Sequence, residues 1–312
     1  MNRIIEVINL TKDYGFGRGV FDVSFSIQKG ETFGFLGPNG AGKTTTIRHL
    51  MGFSKAEKGE AKILNKDTFT HYAEILKHVG YIPGELAFPA GLTGFELIKM
   101  TEDLVGKRDP ERLTMLCDLF KLDARLLKSS TKQMSLGTKR KLAIVTAFMS
   151  DPDILILDEP TSGLDPIMQD VFIDFIKKEK ERGKTILLSS HIFNEVDQTC
   201  DRISIIKEGK IIDTFVANDL KHNKHKFYRL RFEDIENYLK FTEMAKFKPF
   251  IDIIKGHRAT LELFISTHDD DIDQVVKELT GYKIAEFTNK QETLEDYFLK
   301  FYQDGKEFGG LK

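Results

Sequence analysis

The sequence predicts an α/β chain: a mostly parallel sheet with a helical insert, followed by a smaller α+β unit. Three observations predict it. Apolar, β-prone runs alternate with helical patterns, the order that builds a parallel sheet. Thr32 to Leu36 reads as a strand that feeds Gly37-Pro38-Asn39-Gly40-Ala41-Gly42-Lys43-Thr44-Thr45, and a helix through Met51 follows. That stretch fits G-x-x-x-x-G-K-[ST], the phosphate-binding P-loop, in the strand–loop–helix context it needs. Finally, Asp153 to Pro160 is an aliphatic run ending in the carboxylates Asp158 and Glu159, as in a parallel strand buried on both faces.

The loop dictates its own chemistry. Its glycines let backbone N–H groups turn inward, and the new helix adds unpaired N–H groups and the positive end of its dipole. Together these bind a polyphosphate. Lys43 is placed to reach the β- and γ-phosphates and Thr44 to ligate Mg²⁺. Asp158, at the carboxyl end of a buried strand, fits the Mg²⁺ role of such a site, and Glu159 is placed to take a proton from an attacking water.

Composition narrows the classes. The 312 residues suffice for two domains, and a net charge of −2 gives no electrostatic case for nucleic acid. The two cysteines, Cys117 and Cys200, fit no metal spacing and read as buried residues of a protein in a reducing compartment. No signal peptide is visible, and no run approaches the ~20 apolar residues of a membrane span. Any membrane role is expected to come through a partner.

In chain order, Ile4 to Leu10 and Val20 to Ile27 read as strands around a glycine-rich turn, Tyr14 to Gly19. Tyr14 is either a base-stacking aromatic or a packed surface tyrosine. Gly59 to Leu64 and His78 to Pro83 read as strands. From about 93 to 150 the pattern is helical. Thr93 and Glu96 form a capping box, Asp109-Pro110 opens a second helix, and Ser135 caps a third that runs to about Met149. Pro166 to Arg182 is an amphipathic helix, Lys184 to Ser190 a buried strand, and His191 stands at that strand's ligand end. A helix from Phe193 to Thr199 and strands over Arg202 to Lys207 and Lys210 to Phe215 close the first domain, 1–218. The polar 221–226 reads as a linker. Beyond it a β-α-β-β-α-β-α order fills 219–312, with strands Tyr228 to Phe232, Phe250 to Ile254, Ala259 to Ile265 and Lys283 to Thr288. The acidic run Asp269 to Asp273 lacks the glycine and glutamate of a calcium loop and reads as helix capping.

The ordered set resembles the ATP-binding cassette (ABC) family over residues 3 to about 216. Tyr14 is similar to its aromatic A-loop, Gly37 to Thr44 to Walker A, and Ser135-Leu136-Gly137-Thr138 to its LSGGQ signature. Ile154 to Glu159 resembles Walker B, Ser162 to Asp165 the D-loop, and His191 the switch histidine. Two departures stand out. Leu136 and Thr138 replace a glycine and a glutamine, as in exporters whose permease is a separate ABC-2 type chain. Gly84 occupies the expected Q-loop position, leaving Glu85 as the candidate there. Glu292 to Lys300 also looks like the tail of that exporter branch.

The resemblance implies a P-loop NTPase cassette with a RecA-like α/β core, an antiparallel β subdomain and a helical subdomain. It implies a head-to-tail homodimer around two ATP molecules with Mg²⁺. Tyr14, Gly37, Pro38, Asn39, Gly40, Ala41, Gly42, Lys43, Thr44, Thr45, Ser135, Gly137 and His191 would bind ATP, with Lys43 and Thr44 of one copy facing Ser135 and Gly137 of the other across the γ-phosphate. Glu159, His191 and Lys43 would be catalytic, Thr44 and Asp158 would bind metal, and Asp165 would couple the sites. It further implies a peripheral ATPase at the cytoplasmic face of the membrane, driving export of a drug, peptide antibiotic or lipid-like substrate. The alternatives are a soluble ABC ATPase of translation or DNA repair, which usually carries two cassettes or a coiled coil, and an importer ATPase.

Overall fold

The computed structural model describes residues 2–89, 91–221, 225–290 and 293–301. The chain divides into two compact units between Ala217 and Asn218.

The first unit opens with β1 (Arg3–Asp13) and β2 (Gly19–Gln28), joined by the glycine turn. After β3 (Thr32–Leu36) and α1 (Lys43–Leu50) come β4 (Lys58–Ile63), β5 (Lys66–Asp67), α2 (Tyr72–Ile75) and β6 (Val79–Ile82). The helical insert follows: α3 (Gly94–Val105), α4 (Pro110–Leu119), α5 (Ala124–Lys128) and α6 (Leu136–Phe148). Then come β7 (Ile154–Asp158), α7 (Pro166–Glu181), β8 (Thr185–Ser190), α8 (Phe193–Thr199), β9 (Arg202–Lys207) and β10 (Lys210–Val216); α9 (Ala217–Lys221) begins on the last residue of this unit and runs into the second.

Two sheets result. The antiparallel one has the order β2-β1-β4-β5; the central one runs β10-β9-β3-β8-β7-β6. In the central sheet β6, β7, β8, β3 and β9 are mutually parallel, and only β10 runs against its neighbour. All residues of β3, β7 and β8 are buried. This explains their uninterrupted apolar runs and sends the loops after all three to one sheet edge. Phe25 of β2 stacks on Phe33 of β3 with centroids 5.2 Å apart, so one core joins the two sheets. Phe120 and Phe148 of the insert set their edges against Phe175 of α7.

Local signals behave as the residues predict. Thr93 and Glu96 make both halves of the capping box, and Asp109, Ser135 and Asp165 accept N-cap hydrogen bonds. Two readings need correction. Cys200 is buried but Cys117 is only partly so, because α4 turns that face toward the surface. Of the expected linker 221–226, Lys221 belongs to a helix and His225 and Lys226 to a strand, while residues 222–224 lie outside the described residues.

The second unit contains β11 (His225–Phe232), α10 (Ile235–Ala245), β12 (Asp252–His257), β13 (Glu262–His268), α11 (Ile272–Leu279), β14 (Ile284–Lys290) and α12 (Leu294–Lys300). Its antiparallel sheet has the order β12-β13-β11-β14. Leu230, Leu263 and Ile265 of the sheet meet Phe241 of α10 and Val275 of α11 in a separate core. The acidic run opens α11; Asp271 makes no side-chain cap bond but accepts from the Gln274 amide at 2.9 Å, and the carboxylates lie at the positive end of the helix dipole. Of the expected exporter-like tail, Glu292 lies outside the described residues.

Candidate active site

The P-loop spans the gap between β3 and α1. Gly40 and Gly42 have φ of 81° and 109°, the left-handed region that glycine enters without strain. Gly42 also leaves no room for a side chain: a Cβ there would lie 2.9 Å from Val20 Cγ1 and 3.3 Å from the Gly19 carbonyl. The glycine turn that follows Tyr14 therefore abuts the loop. Tyr14 itself is 53% exposed, with the Lys12 ammonium 5.6 Å from its ring centre. Asn39, Gly40 and Thr44 face solvent, whereas Gly37, Ala41 and Lys43 are buried. Thr45 accepts through its carbonyl from the ring of His49.

Lys43 is the hub. Its Nζ donates to the Gly37 carbonyl at 2.6 Å and to Pro38 at 3.1 Å, and lies 3.3 Å from Glu159 Oε1. Burial pushes the ammonium below its ordinary pKa, and Glu159 pulls it back up. Glu159 is the first residue past β7, at φ 47°, where a non-glycine residue is strained. The Glu159 N–H donates to the Ser189 carbonyl at 3.0 Å, holding the bend. His191 Nδ1 lies 3.3 Å from the same Oε1. The bond from His191, with the charge of Lys43, holds the Glu159 carboxyl down at about 2; the same bond raises His191.

Asp158 is fully buried. Ser189 Oγ donates to its Oδ1. Its Oδ2 is buried with no donor at hydrogen-bonding geometry among the described residues. Burial raises the Asp158 pKa, and the nearby Thr44 hydroxyl works against that. A buried carboxylate oxygen without a donor, beside a threonine hydroxyl, fits a divalent cation.

Glu85 is exposed, and the residue that faces Asp158 is Gly84. A Cβ at Gly84 would lie 3.0 Å from Asp158 Oδ2. Glu85, the expected Q-loop candidate, thus follows the residue packed against this carboxylate, where an added Cβ would require Asp158 to give by a few tenths of an ångström.

Ser135, Gly137 and Asp165 form a second group. Ser135 Oγ accepts from the Thr138 N–H at 3.2 Å, and a Cβ at Gly137 would touch the Gly163 carbonyl at 2.9 Å. Asp165 caps α7 through the Met168 N–H at 3.0 Å. The signature loop and the D-loop are therefore packed together. Within one chain neither Ser135 nor Gly137 hydrogen-bonds to the P-loop among the described residues.

Two residues escaped the sequence reading. Arg140 is 2% exposed and donates to three backbone carbonyls: Pro83, Gly84 and Ser162. In Lys139-Arg140-Lys141 it looks like part of a solvated run. The buried stripe of Ala143, Ile144, Ala147 and Phe148 passes through position 140 and could have revealed it. Glu195, on α8, is buried with its carboxyl pushed up to about 7 by that burial. Ser190 Oγ donates to it at 2.5 Å and accepts from the Ile192 N–H at 2.9 Å. Glu195 thereby anchors the turn that carries His191.

Comparison with known proteins agrees with this geometry. A family described as ABC transporter matches residues 20–162. The chain is 33% identical over 310 residues to the uncharacterized ABC transporter ATP-binding protein YhcH of Bacillus subtilis (strain 168), covering 98% of each. The chain belongs to the ABC transporter ATP-binding proteins. This ABC ATPase is also 32% identical over 318 residues to the bacitracin transport ATP-binding protein BcrA of Bacillus licheniformis, covering 98% of this chain and 99% of that one. A solved ATP-binding subunit of an ABC transporter superposes with a TM-score of 0.64 at 30% identity, over 70% of this chain and 92% of its own. The dimeric bacterial cassette MJ0796 superposes with a TM-score of 0.62 at 25% identity, over 69% and 99%. The ABC ATPase therefore binds and hydrolyses ATP, as the motifs predict. Among the described residues no helix is long and apolar enough to cross a membrane.

Proposed function

We propose that two copies of this ABC ATPase close head to tail on two ATP molecules and drive a separate ABC-2 type permease from the cytoplasmic face of the membrane. The observation that carries the reading is the split between the two groups of site residues. The P-loop, Asp158, Glu159 and His191 form one half of a site. Ser135 and Gly137, packed on the D-loop, form an anion-binding half that makes no hydrogen bond to the P-loop among the described residues of the same chain. A second copy supplies that counterpart. The dimeric MJ0796 cassette supports the arrangement.

Each residue has a task. The loop N–H groups and the α1 N-terminus hold the β- and γ-phosphates, and Lys43 turns from the Gly37 and Pro38 carbonyls to meet them. Tyr14 stacks on the base. Glu159 accepts a proton from the water that attacks the γ-phosphorus while the bond to the β,γ-bridging oxygen breaks, releasing ADP and phosphate. His191 holds the γ-phosphate, and Asp165 couples the two sites. Thr44 and Asp158 would hold Mg²⁺, which when bound supplies positive charge to the phosphate oxygens. Glu85 has no place in this assignment.

The cargo is a drug, peptide antibiotic or lipid-like molecule chosen by the permease. Similarity to BcrA along nearly the whole of both chains supports the export reading. The test is a mild-detergent pull-down of the tagged protein from native membranes, with partners identified by mass spectrometry. Recovery of a multi-span permease whose presence alters ATP turnover is the expected result. Recovery of ribosomes or DNA-repair factors instead would overturn it.

A further inference from the structure

We propose that Arg140 is a positioning residue that locks the signature helix, the D-loop and the loop after β6 into one moving body. Its guanidinium leaves α6 one turn beyond Ser135. Nε donates to the Ser162 carbonyl at 2.9 Å, Nη1 to Pro83 at 2.8 Å and Nη2 to Gly84 at 2.7 Å. Three segments far apart in sequence thus share one cation.

Physical chemistry makes this a lock. A buried guanidinium without its acceptors carries a large desolvation cost. Here all three bonds go to backbone carbonyls, with a fork geometry only arginine supplies. Losing any one leaves a charged donor unpaired in the interior. Burial works against the charge, and the negative fields of Asp158, Glu159 and Glu195 support it. Glycine contacts tighten the same junction. Gly137 lies against the Gly163 carbonyl, and Gly84 against Asp158. A displacement of Pro83 and Gly84 therefore reaches the signature helix and the Asp158 carboxylate together. The link from this body to turnover rests on the function proposed above; the locking itself does not.

The test uses the full chain and Arg140→Lys, which keeps the charge but whose single ammonium cannot span three carbonyls. ATP affinity and stoichiometry are measured first, then turnover per ATP-binding site, then amide hydrogen exchange. The expected result is ATP affinity within about twofold of wild type, because the P-loop is untouched. Turnover per site falls at least about tenfold, about 1.4 kcal/mol on the barrier. Exchange in residues 84–88 and 162–164 rises while that of β7 is unchanged. Unchanged turnover per site, or exchange that rises throughout β7 as well, would reduce Arg140 to a general packing residue and overturn the proposal. The wild-type chain gives a second test that survives a variant that fails to fold. Its two loops are expected to share one protection factor within about threefold, and independent protection contradicts the lock. An inactive wild type would sink the functional reading alone, since the exchange measurements need no hydrolysis.

Discussion

Glu159 stands in a strained backbone conformation between the Lys43 ammonium and the His191 ring, both 3.3 Å from one of its oxygens. Replacing it by glutamine keeps the shape and removes the proton acceptor. Glu159→Gln is expected to bind ATP normally and to lose roughly 10²–10⁴-fold in turnover, measured as phosphate release. Wild-type turnover in that variant would remove Glu159 from its role. Glu195 supports a different prediction. Its carboxyl, pushed up to about 7 by burial, meets Ser190, Thr161 and the charges of His191, Glu159 and Arg140. The folded chain holds this proton more tightly than the unfolded chain, whose value is near 4.5. That stabilisation is present below about 4.5 and is lost as pH rises to about 7. Glu195→Gln, permanently neutral, should therefore gain relative to wild type between pH 5 and pH 8, by up to about 3 kcal/mol. Urea unfolding of both proteins at the two pH values checks this; a pH-independent difference contradicts it.

At the scale of elements, two N-caps separate stability from function. Thr93 caps α3 and Ser135 caps α6, each through the N–H three residues on. Alanine at either is expected to cost about 1 kcal/mol in chemical unfolding. Only Ser135→Ala should also slow ATP turnover; equal turnover in the two variants would leave Ser135 a cap and nothing more. The elements also show what a sequence can reveal. The strand Thr32–Leu36, helix Phe193–Thr199 and strand Arg202–Lys207 fall at their predicted bounds. Periodicity and flanking turn residues decide such elements locally. Short pieces such as Lys66–Asp67, Tyr72–Ile75 and Ala124–Lys128 escaped, since a turn or two of chain is fixed by what it packs on rather than by its own pattern. The site shows the same divide. Lys43, Asp158 and Glu159 were legible because a P-loop and a buried strand end require them. Arg140 depends on carbonyls 56, 57 and 22 positions away, which no local pattern can show.

For the whole molecule, the described residues of the first unit bring Lys43, Glu159 and His191 together, and among them Ser135 and Gly137 make no hydrogen bond to the P-loop. The second unit has its own sheet and core. The central claim is that the two halves of the site come together only between copies. The measurement that tests it most directly is light scattering on size-separated Glu159→Gln protein, with and without ATP and Mg²⁺. The account predicts a shift from the 35.7 kDa chain to twice that mass on adding ATP, abolished when Ser135→Ala is combined with Glu159→Gln. A monomer that stays monomeric with ATP bound, or a dimer indifferent to Ser135, would contradict it.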